Sequence, residues 1–222
     1  METLNKYYEK LYKKYGYSPK SLGWEKGKQF LRFHQLTCDF ELKNASILDV
    51  GCGFGDFIKY LNLNKIKNFK YVGVDIIEDF INEAKKLYPN DDIKFYKSNF
   101  IDLELSEKFD YGIASGTFNL AIEGVNGYDN VKNNLIKMFN HCSKAVSLDF
   151  LTSRVDYTHS HNFNSDPIKI LEIAYGLSKS IVLKNNYFPF EFSITIYKDD
   201  SFQKETTIYT EIEKTFDWLR KK

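Results

Sequence analysis

Glycines at alternate positions follow a short apolar run near residue 50. Gly51, Gly53 and Gly55 spell G-x-G-x-G, and glycine permits both positive φ and a close approach of a ligand to the backbone. The helix expected next would present unpaired N–H groups to an anion or carboxylate. A second apolar run ends in Asp75, and an acid at a strand tip can bind both hydroxyls of a ribose. The pattern predicts a site for a nucleoside that carries an acidic group.

The residue after the last glycine narrows the choice of nucleoside. The dinucleotide fingerprint G-x-G-x-x-G requires glycine at position 56, where this chain has Asp56. An acid at this place would repel a pyrophosphate, but it is tolerable beside an amine. S-adenosylmethionine carries such an amine, together with a carboxylate and a cationic sulfonium. We therefore expect this ligand rather than a nicotinamide dinucleotide.

Four segments resemble class I S-adenosylmethionine-dependent methyltransferases. Residues 48–55 (LDVGCGFG) look like the first motif of that family, and residues 73–76 (GVDI) look like the second. Residues 95–100 (FYKSNF) resemble the segment that brackets the adenine, and residues 109–116 (FDYGIASG) resemble the fourth strand with its active-site tip. One departure is Asn99, where the family often has Asp; an amide carbonyl can still accept a hydrogen bond from the adenine amino group.

The resemblance implies S-adenosyl-L-methionine as the methyl donor and S-adenosyl-L-homocysteine as the product. Some small-molecule methyltransferases place an arginine from an N-terminal helix on the methionine carboxylate, and Arg32 is the candidate here, with a solvated basic face as the alternative. The expected cofactor-binding residues are Asp49, Gly51, Cys52, Gly53, Gly55, Asp75, Ile76, Asn99, Phe100, Ser115 and Arg32.

Alternating strands and helices must position these residues. Strands are predicted at 46–50, 70–75, 92–97, 109–115, 144–150, 180–184 and 192–197, and helices at 55–62, 78–88, 128–142 and from Pro167 to Gly176. The last strand alternates apolar and polar residues, as a half-exposed strand does, and its connection to the preceding strand is too short for a helical crossover. We expect an α/β fold with a doubly wound, mostly parallel seven-stranded sheet and an antiparallel strand near its edge.

The chain divides into three parts. Residues 1–44 contain two helical stretches, 2–15 and 24–42, and are predicted to form a helical lid. Residues 45–198 form the Rossmann-like methyltransferase core. Residues 199–222 repeat apolar side chains at helical spacing and are predicted to form a helix that packs on the core or contacts a second copy.

Acceptor and catalytic candidates follow the fourth and fifth strands, because the reacting centre of an open α/β sheet lies outside the carboxyl ends of the strands. His159 and His161 are candidate general bases, and Asn119 is a further catalytic candidate. The i,i+2 histidines have no neighbouring Cys or carboxylate spacing that would indicate a metal site. Candidate substrate-binding residues are Thr117, Arg154, Tyr157, Trp24 and Lys28. Solvated loop residues and a polar turn are the alternatives.

Composition limits the remaining classes of function and the expected cellular location. The 222 residues carry a formal net charge of +1, which offers no general attraction to nucleic acid or to an anionic membrane. Three scattered cysteines and a polar N-terminus indicate a cytoplasmic protein that is not anchored in a membrane. A monomer and a homodimer are both compatible with the sequence.

These observations predict a methyltransferase for a small polar acceptor, with oxygen preferred over nitrogen. The Asn/Asp-Pro-Pro-Tyr/Phe signature of N-methylation is missing after the fourth strand. The acceptor could be a hydroxyl or a phosphate-linked group, for example on a nucleotide or a sugar. The alternatives are an N-methyltransferase, a regulatory protein that binds S-adenosylmethionine without turnover, and a nicotinamide oxidoreductase.

Overall fold

The computed structural model describes residues 2–23 and 28–198, with the side chains from residue 4 onward in the first range. Its strands are β1 (Ser46–Val50), β2 (Lys70–Asp75), β3 (Ile93–Lys97), β4 (Phe109–Ala114), β5 (Cys142–Leu151), β6 (Ile181–Lys184) and β7 (Glu191–Tyr197). Its α-helices are α1 (Glu2–Tyr15), α2 (Gln29–Thr37), α3 (Asp56–Leu63), α4 (Glu78–Leu87), α5 (Gly127–His141) and α6 (Pro167–Tyr175). The predicted C-terminal helix lies outside the described residues.

The seven strands form one sheet in the order β3-β2-β1-β4-β5-β7-β6. The pairs from β3 to β5 are parallel, and β7 pairs antiparallel with both β5 and β6. The strand order reverses between β1 and β4, and in such sheets ligands bind outside the carboxyl ends of the strands at this reversal. The predicted fold class is confirmed.

Apolar layers cover both faces of the sheet. On one face α5 and α6 bury residues such as Val131, Leu135 and Ile170. On the other face α2, α3 and α4 bury residues such as Phe33 and Phe57. Because both faces are covered, the central strands are apolar almost throughout, as in other doubly wound sheets.

The structure corrects two local predictions. β7 is not half-exposed: Ser193 and Thr195 are buried, and the Thr195 hydroxyl lies 2.9 Å from that of Ser147 on β5, so the polar positions are satisfied inside the sheet. The second N-terminal helix ends at Thr37 rather than near residue 42. Tertiary packing ends it, because Phe40 stacks on Tyr111 with 4.3 Å between ring centroids.

None of the helices in the described part of the chain is long and apolar enough to cross a membrane.

Candidate functional site

A cavity of about 340 Å³ opens at the carboxyl ends of β1, β2 and β4, where the strand order reverses. We call it the main cavity. Its volume lies in the range of pockets that hold small molecules and cofactors. Nine predicted site residues line it: Gly51, Cys52, Gly53, Asp75, Ile76, Asn99, Phe100, Ser115 and Thr117.

The glycine turn after β1 forms the floor of the main cavity. Gly51, Gly53 and Gly55 have φ values of 74°, 54° and 75°, which side-chain-bearing residues rarely adopt. A Cβ on Gly51 would lie 2.3 Å from the Thr117 hydroxyl oxygen, and a Cβ on Gly53 would lie 2.9 Å from Leu22. Gly55 caps the start of α3 and does not line the cavity. The turn therefore requires glycine for its backbone conformation and for the space it leaves open.

Asp75 ends β2 at the rim of the main cavity. Its carboxylate accepts hydrogen bonds from the backbone N–H groups of Gly53 and Ile77, both at 2.9 Å. Burial raises the pKa of Asp75, and the two N–H donors act in the opposite direction. Each oxygen retains a further lone pair for a ligand hydroxyl. This geometry suits a carboxylate that binds the two hydroxyls of a ribose.

The apolar wall of the main cavity comes from the segments after β2, β3 and β4. Ile76, Phe100 and Phe118 line it and offer flat or branched surfaces to a purine ring. Asn99 lies beside them, and its side-chain amide donates a 2.9 Å hydrogen bond to Asp102. That bond leaves the amide oxygen of Asn99 as an acceptor, which is the role the sequence predicted for it.

A buried carboxylate positions the tip of β4. Asp149 accepts hydrogen bonds from the Ser115 hydroxyl and from the Gly116 N–H, both at 2.7 Å. Burial, followed by the nearby negative charge of Glu191, raises the pKa of Asp149 to about 7. Thr117 donates its hydroxyl proton to the Val50 carbonyl oxygen at 2.8 Å. These bonds fix the peptide groups of the tip that face the main cavity.

Two residues of the first motif support the turn without contacting a ligand through a reactive group. Asp49 does not line the main cavity; it accepts a 2.6 Å hydrogen bond from the Tyr71 hydroxyl, and burial raises its pKa to about 7. Cys52 lines the cavity, but burial and two nearby carboxylates raise the pKa of its thiol well above the usual value. A thiol of this kind is inert as a nucleophile. Cys52 therefore serves as a small side chain in the turn.

Asp56 lies outside the lining of the main cavity, although the sequence predicted it beside the amine of the ligand. It begins α3 and accepts a 3.0 Å hydrogen bond from the Tyr17 hydroxyl. The acid therefore anchors the N-terminal segment to the glycine turn.

Arg32 is also placed differently from its predicted position. Its side chain pairs with Glu191 at the start of β7: Nε donates a 2.8 Å hydrogen bond to Oε2, and a second guanidinium nitrogen contacts Oε1. Both side chains are buried, and the guanidinium lies over the Phe188 ring. Arg32 does not line the main cavity. It holds α2 against the start of β7, at the same end of the strands as the main cavity.

Three further candidates lie outside the main cavity. Asn119 accepts a hydrogen bond from the Leu151 N–H at 2.8 Å and thereby connects the tips of β4 and β5. Arg154 pairs with Asp166 at 3.2 Å near the start of α6. Lys28 lies over the Phe188 ring, 5.1 Å from its centroid. Trp24 lies outside the described residues.

A second, smaller space adjoins the main cavity. This side chamber has a volume of about 190 Å³ and is lined by Leu4, Tyr7, Leu120, Ala121, Ile122, Glu123 and His161. Leu4, Leu120 and Ile122 line both spaces, so the two lie on opposite sides of the same three side chains or directly beside each other.

The loop after β5 brings His161 to the side chamber. The Ala121 N–H donates to the His161 carbonyl oxygen at 3.0 Å, and Leu120 pairs with Asn162 in an antiparallel bridge. The His161 ring stacks on His159 with 5.3 Å between centroids. His159 Nε2 lies 2.9 Å from the Tyr157 hydroxyl oxygen. Tyr157, His159 and His161 thus form one row of contacting side chains, and His161 is the member that lines the side chamber.

Several lining residues were missed from the sequence. Leu4 and Tyr8 of α1 line the main cavity, as do Asn130 and Asn134 of α5. Each pair is spaced i,i+4, which places both members on one helix face. That spacing was the available signal, but it does not show which helix face turns toward the sheet edge.

No group of three or more His, Cys, Asp or Glu residues in the described ranges could hold a metal ion.

Comparisons with known proteins agree with this geometry. Residues 41–167 match the family described as "Methyltransferase domain". Over 159 residues the chain is 26% identical to Rv1506c of Mycobacterium tuberculosis, a protein provisionally named as a methyltransferase, and the match covers 69% of this chain and 93% of that protein.

Solved structures show the same fold at low identity. A DhpI–S-adenosylhomocysteine complex superimposes with a TM-score of 0.62 at 14% identity and covers 87% of this chain and 94% of its own. The magnesium protoporphyrin IX methyltransferase of Synechocystis PCC 6803, crystallised with bound S-adenosylmethionine, gives 0.57 at 16% identity, with 76% and 77% covered. The chain belongs to the methyltransferase-domain family and has the fold of the class I S-adenosylmethionine-dependent methyltransferases, as its motifs predicted.

Proposed function

We propose that this methyltransferase uses S-adenosylmethionine to methylate a hydroxyl oxygen of a small molecule, with His161 as the general base. The observation that carries the proposal is that the two spaces adjoin through shared lining residues. The side chamber shares Leu4, Leu120 and Ile122 with the main cavity and has His161 in its wall. An acceptor in the chamber would therefore adjoin both the donor site and a titratable side chain.

The residues of the main cavity fit the donor. Asp75 would bind the ribose hydroxyls, Ile76 and Phe100 would enclose the adenine, and the open floor at Gly51 and Gly53 would admit the methionine end. When bound, S-adenosylmethionine supplies a methyl group on a cationic sulfur that an in-line nucleophile can displace. The chain contributes chiefly position, since holding reacting atoms about 3 Å apart in alignment accounts for much of such catalysis.

The N-terminal segment covers this site. Leu4 and Tyr8 of α1 line the main cavity, and Tyr8 and Tyr12 pack their rings edge-on against Phe80 of α4. Tyr12 also donates a hydrogen bond to Glu83 of α4. We infer that residues 2–23 act as the predicted lid, excluding water from the donor and forming one wall of the acceptor space.

His161 has the chemistry that a hydroxyl acceptor needs. A neutral alcohol is a weak nucleophile, and a base that removes its proton as the methyl group transfers accelerates the reaction. Histidine is the side chain that ordinarily titrates between pH 5 and 8. The stack on His159 and the His159–Tyr157 contact restrict the orientation of the ring.

Substitution of His161 tests the proposal. With labelled S-adenosylmethionine and a panel of phenols and aliphatic alcohols, His161→Gln should lower kcat about 10²- to 10³-fold. Donor affinity, measured by calorimetry, should stay unchanged, and the acidic limb of the pH–rate profile should disappear. The control is His141→Gln, which changes a histidine at the end of α5, outside both cavities. A wild-type rate in His161→Gln, or methyl transfer to amines but to no hydroxyl, would overturn the proposal.

A further inference from the structure

We propose that the side chamber admits an uncharged six-membered aromatic ring carrying the acceptor hydroxyl, and that Glu123 excludes anionic acceptors. This inference rests on the proposed function and specifies its substrate class as phenols rather than phosphorylated compounds. It is carried by the size of the chamber, by its lining and by the charges around it.

The volume of the chamber matches a single ring. A buried apolar cavity of roughly 150 Å³ in another protein binds benzene, and the side chamber measures about 190 Å³. The difference leaves room for one or two small substituents on the ring. A nucleotide or a disaccharide would extend beyond the chamber, which the exposed residues Tyr7, Ala121 and Glu123 leave open to solvent.

The lining of the chamber is mainly apolar. Leu4, Leu120, Ala121 and Ile122 supply aliphatic surface, and Tyr7 supplies an aromatic one that is 43% exposed. Such surfaces bind a ring through apolar burial and ring contacts. The aliphatic side chains offer no hydrogen-bond partners to the several hydroxyls of a sugar, and unpaired polar groups are costly to bury.

Charge separates phenols from phosphorylated acceptors. Among residues 2–23 and 28–198, no lysine or arginine lines the side chamber or the main cavity. The two cations that the sequence offered for an anionic acceptor are engaged elsewhere, Arg154 with Asp166 and Lys28 over the ring of Phe188. Glu123 is the acidic residue of the chamber wall. A phosphate there would meet a like charge, which disfavours the wrong partner strongly.

Binding of two fluorinated probes tests the inference without relying on turnover. Fluorine NMR would follow 4-fluorophenol and 4-fluorophenyl phosphate with the full-length protein and saturating S-adenosylhomocysteine. We expect the phenol to bind at least about tenfold more tightly than the phosphate at low salt. Glu123→Gln should reduce this preference severalfold and make it insensitive to salt, because the repulsion that salt screens is gone.

A variant that blocks the side chamber provides a second test of phenol binding. Ala121 is exposed and lines the side chamber but not the main cavity, so Ala121→Trp should fill the chamber and abolish phenol binding while leaving S-adenosylhomocysteine affinity intact. The matched control is Ser106→Trp, at an exposed loop position outside both spaces.

The outcomes separate this inference from the proposed function. Phosphate binding as tight as phenol binding, or phenol binding that survives Ala121→Trp, would overturn the substrate class. The oxygen-transfer proposal could still stand in that case, because it depends on the turnover of His161→Gln. Conversely, tight phenol binding together with a wild-type rate in His161→Gln would support the side chamber as the phenol site and exclude His161 as the general base.

Discussion

Alanine at Gly51 should destabilise the protein for two separable reasons. The φ of 74° is costly for a residue with a side chain, by roughly 1–2 kcal/mol. The added Cβ would also lie 2.3 Å from the hydroxyl oxygen and 2.6 Å from the methyl carbon of Thr117. Overpacking of this kind costs roughly 1–3 kcal/mol. Gly51→Ala should therefore lower the free energy of unfolding by roughly 2–5 kcal/mol, measured by urea titration.

Three variants resolve these contributions. Gly124→Ala places the same side chain at a φ of 73° with nothing within 4 Å, so it reports the backbone cost alone. Thr117→Ala removes the two closest atoms, leaves its own Cβ at 2.9 Å, and removes the hydrogen bond to Val50, at a cost of about 1 kcal/mol for the bond. Thr117→Val removes the same bond but retains a branched side chain. It therefore separates loss of the bond from relief of the clash.

The double variants test whether Gly51 lies as close to Thr117 as the structure shows. Gly51→Ala combined with Thr117→Ala should be about 1–3 kcal/mol more stable than the sum of the two single effects, since the two closest contacts are absent and only the Cβ at position 117 remains, at 2.9 Å. Gly51→Ala combined with Thr117→Val should show no such gain. Additivity within about 0.3 kcal/mol in the alanine pair would refute the close approach of the glycine turn to the tip of β4. The urea slope must stay constant across the set for the comparison to hold.

Three further substitutions test the charged groups of the site. Arg32→Met should lower the free energy of unfolding in urea by roughly 3–5 kcal/mol, because it leaves the Glu191 carboxylate buried without its partner. Adding Glu191→Met should restore stability. A loss below about 0.5 kcal/mol in Arg32→Met alone would contradict the pairing. Asp75→Asn should weaken S-adenosylmethionine binding roughly 10- to 100-fold in calorimetry, through loss of charge-assisted hydrogen bonds; equal affinity would exclude the ribose role. Asp149→Asn should gain stability relative to wild type as pH rises from 4 to 8, by at most roughly 4 kcal/mol. The carboxyl pKa of about 7 exceeds the unfolded value of 3.8, so the wild-type contribution is present at low pH and is lost across that window. Parallel pH profiles would contradict the shift.

The donor half of the site could be predicted from the sequence because its requirements are local. The turn at Gly51 and Gly53 needs positive φ and leaves no room for side chains, so only glycine satisfies it. Asp75 directly ends an apolar strand, and the strand itself fixes the position of its carboxylate. The bounds of β1 and β2 agree with the prediction for the same reason, since short apolar runs between turns leave little freedom.

Tertiary pairing explains what the sequence could not reveal. Ser193 and Thr195 look solvent-facing by alternation, yet both are buried, and the Thr195 hydroxyl is paired with that of Ser147, on a strand more than forty residues earlier. Arg32 is 159 residues from Glu191 in the chain. No spacing rule connects residues at that separation, because the sheet order that brings them together is itself the result of folding.

The proposed acceptor site depends on such long-range pairings throughout. His161 reaches the side chamber because Leu120 bridges to Asn162 and the Ala121 N–H binds the His161 carbonyl oxygen, which joins the loops after β4 and β5. The wall opposite these loops comes from α1, at the other end of the sequence. An insertion after Leu120 or in the loop after β5 should therefore change acceptor choice while leaving the donor site intact, since Gly51 follows β1 and Asp75 ends β2. Acceptor specificity can diverge in this architecture without loss of the fold or of the methyl donor.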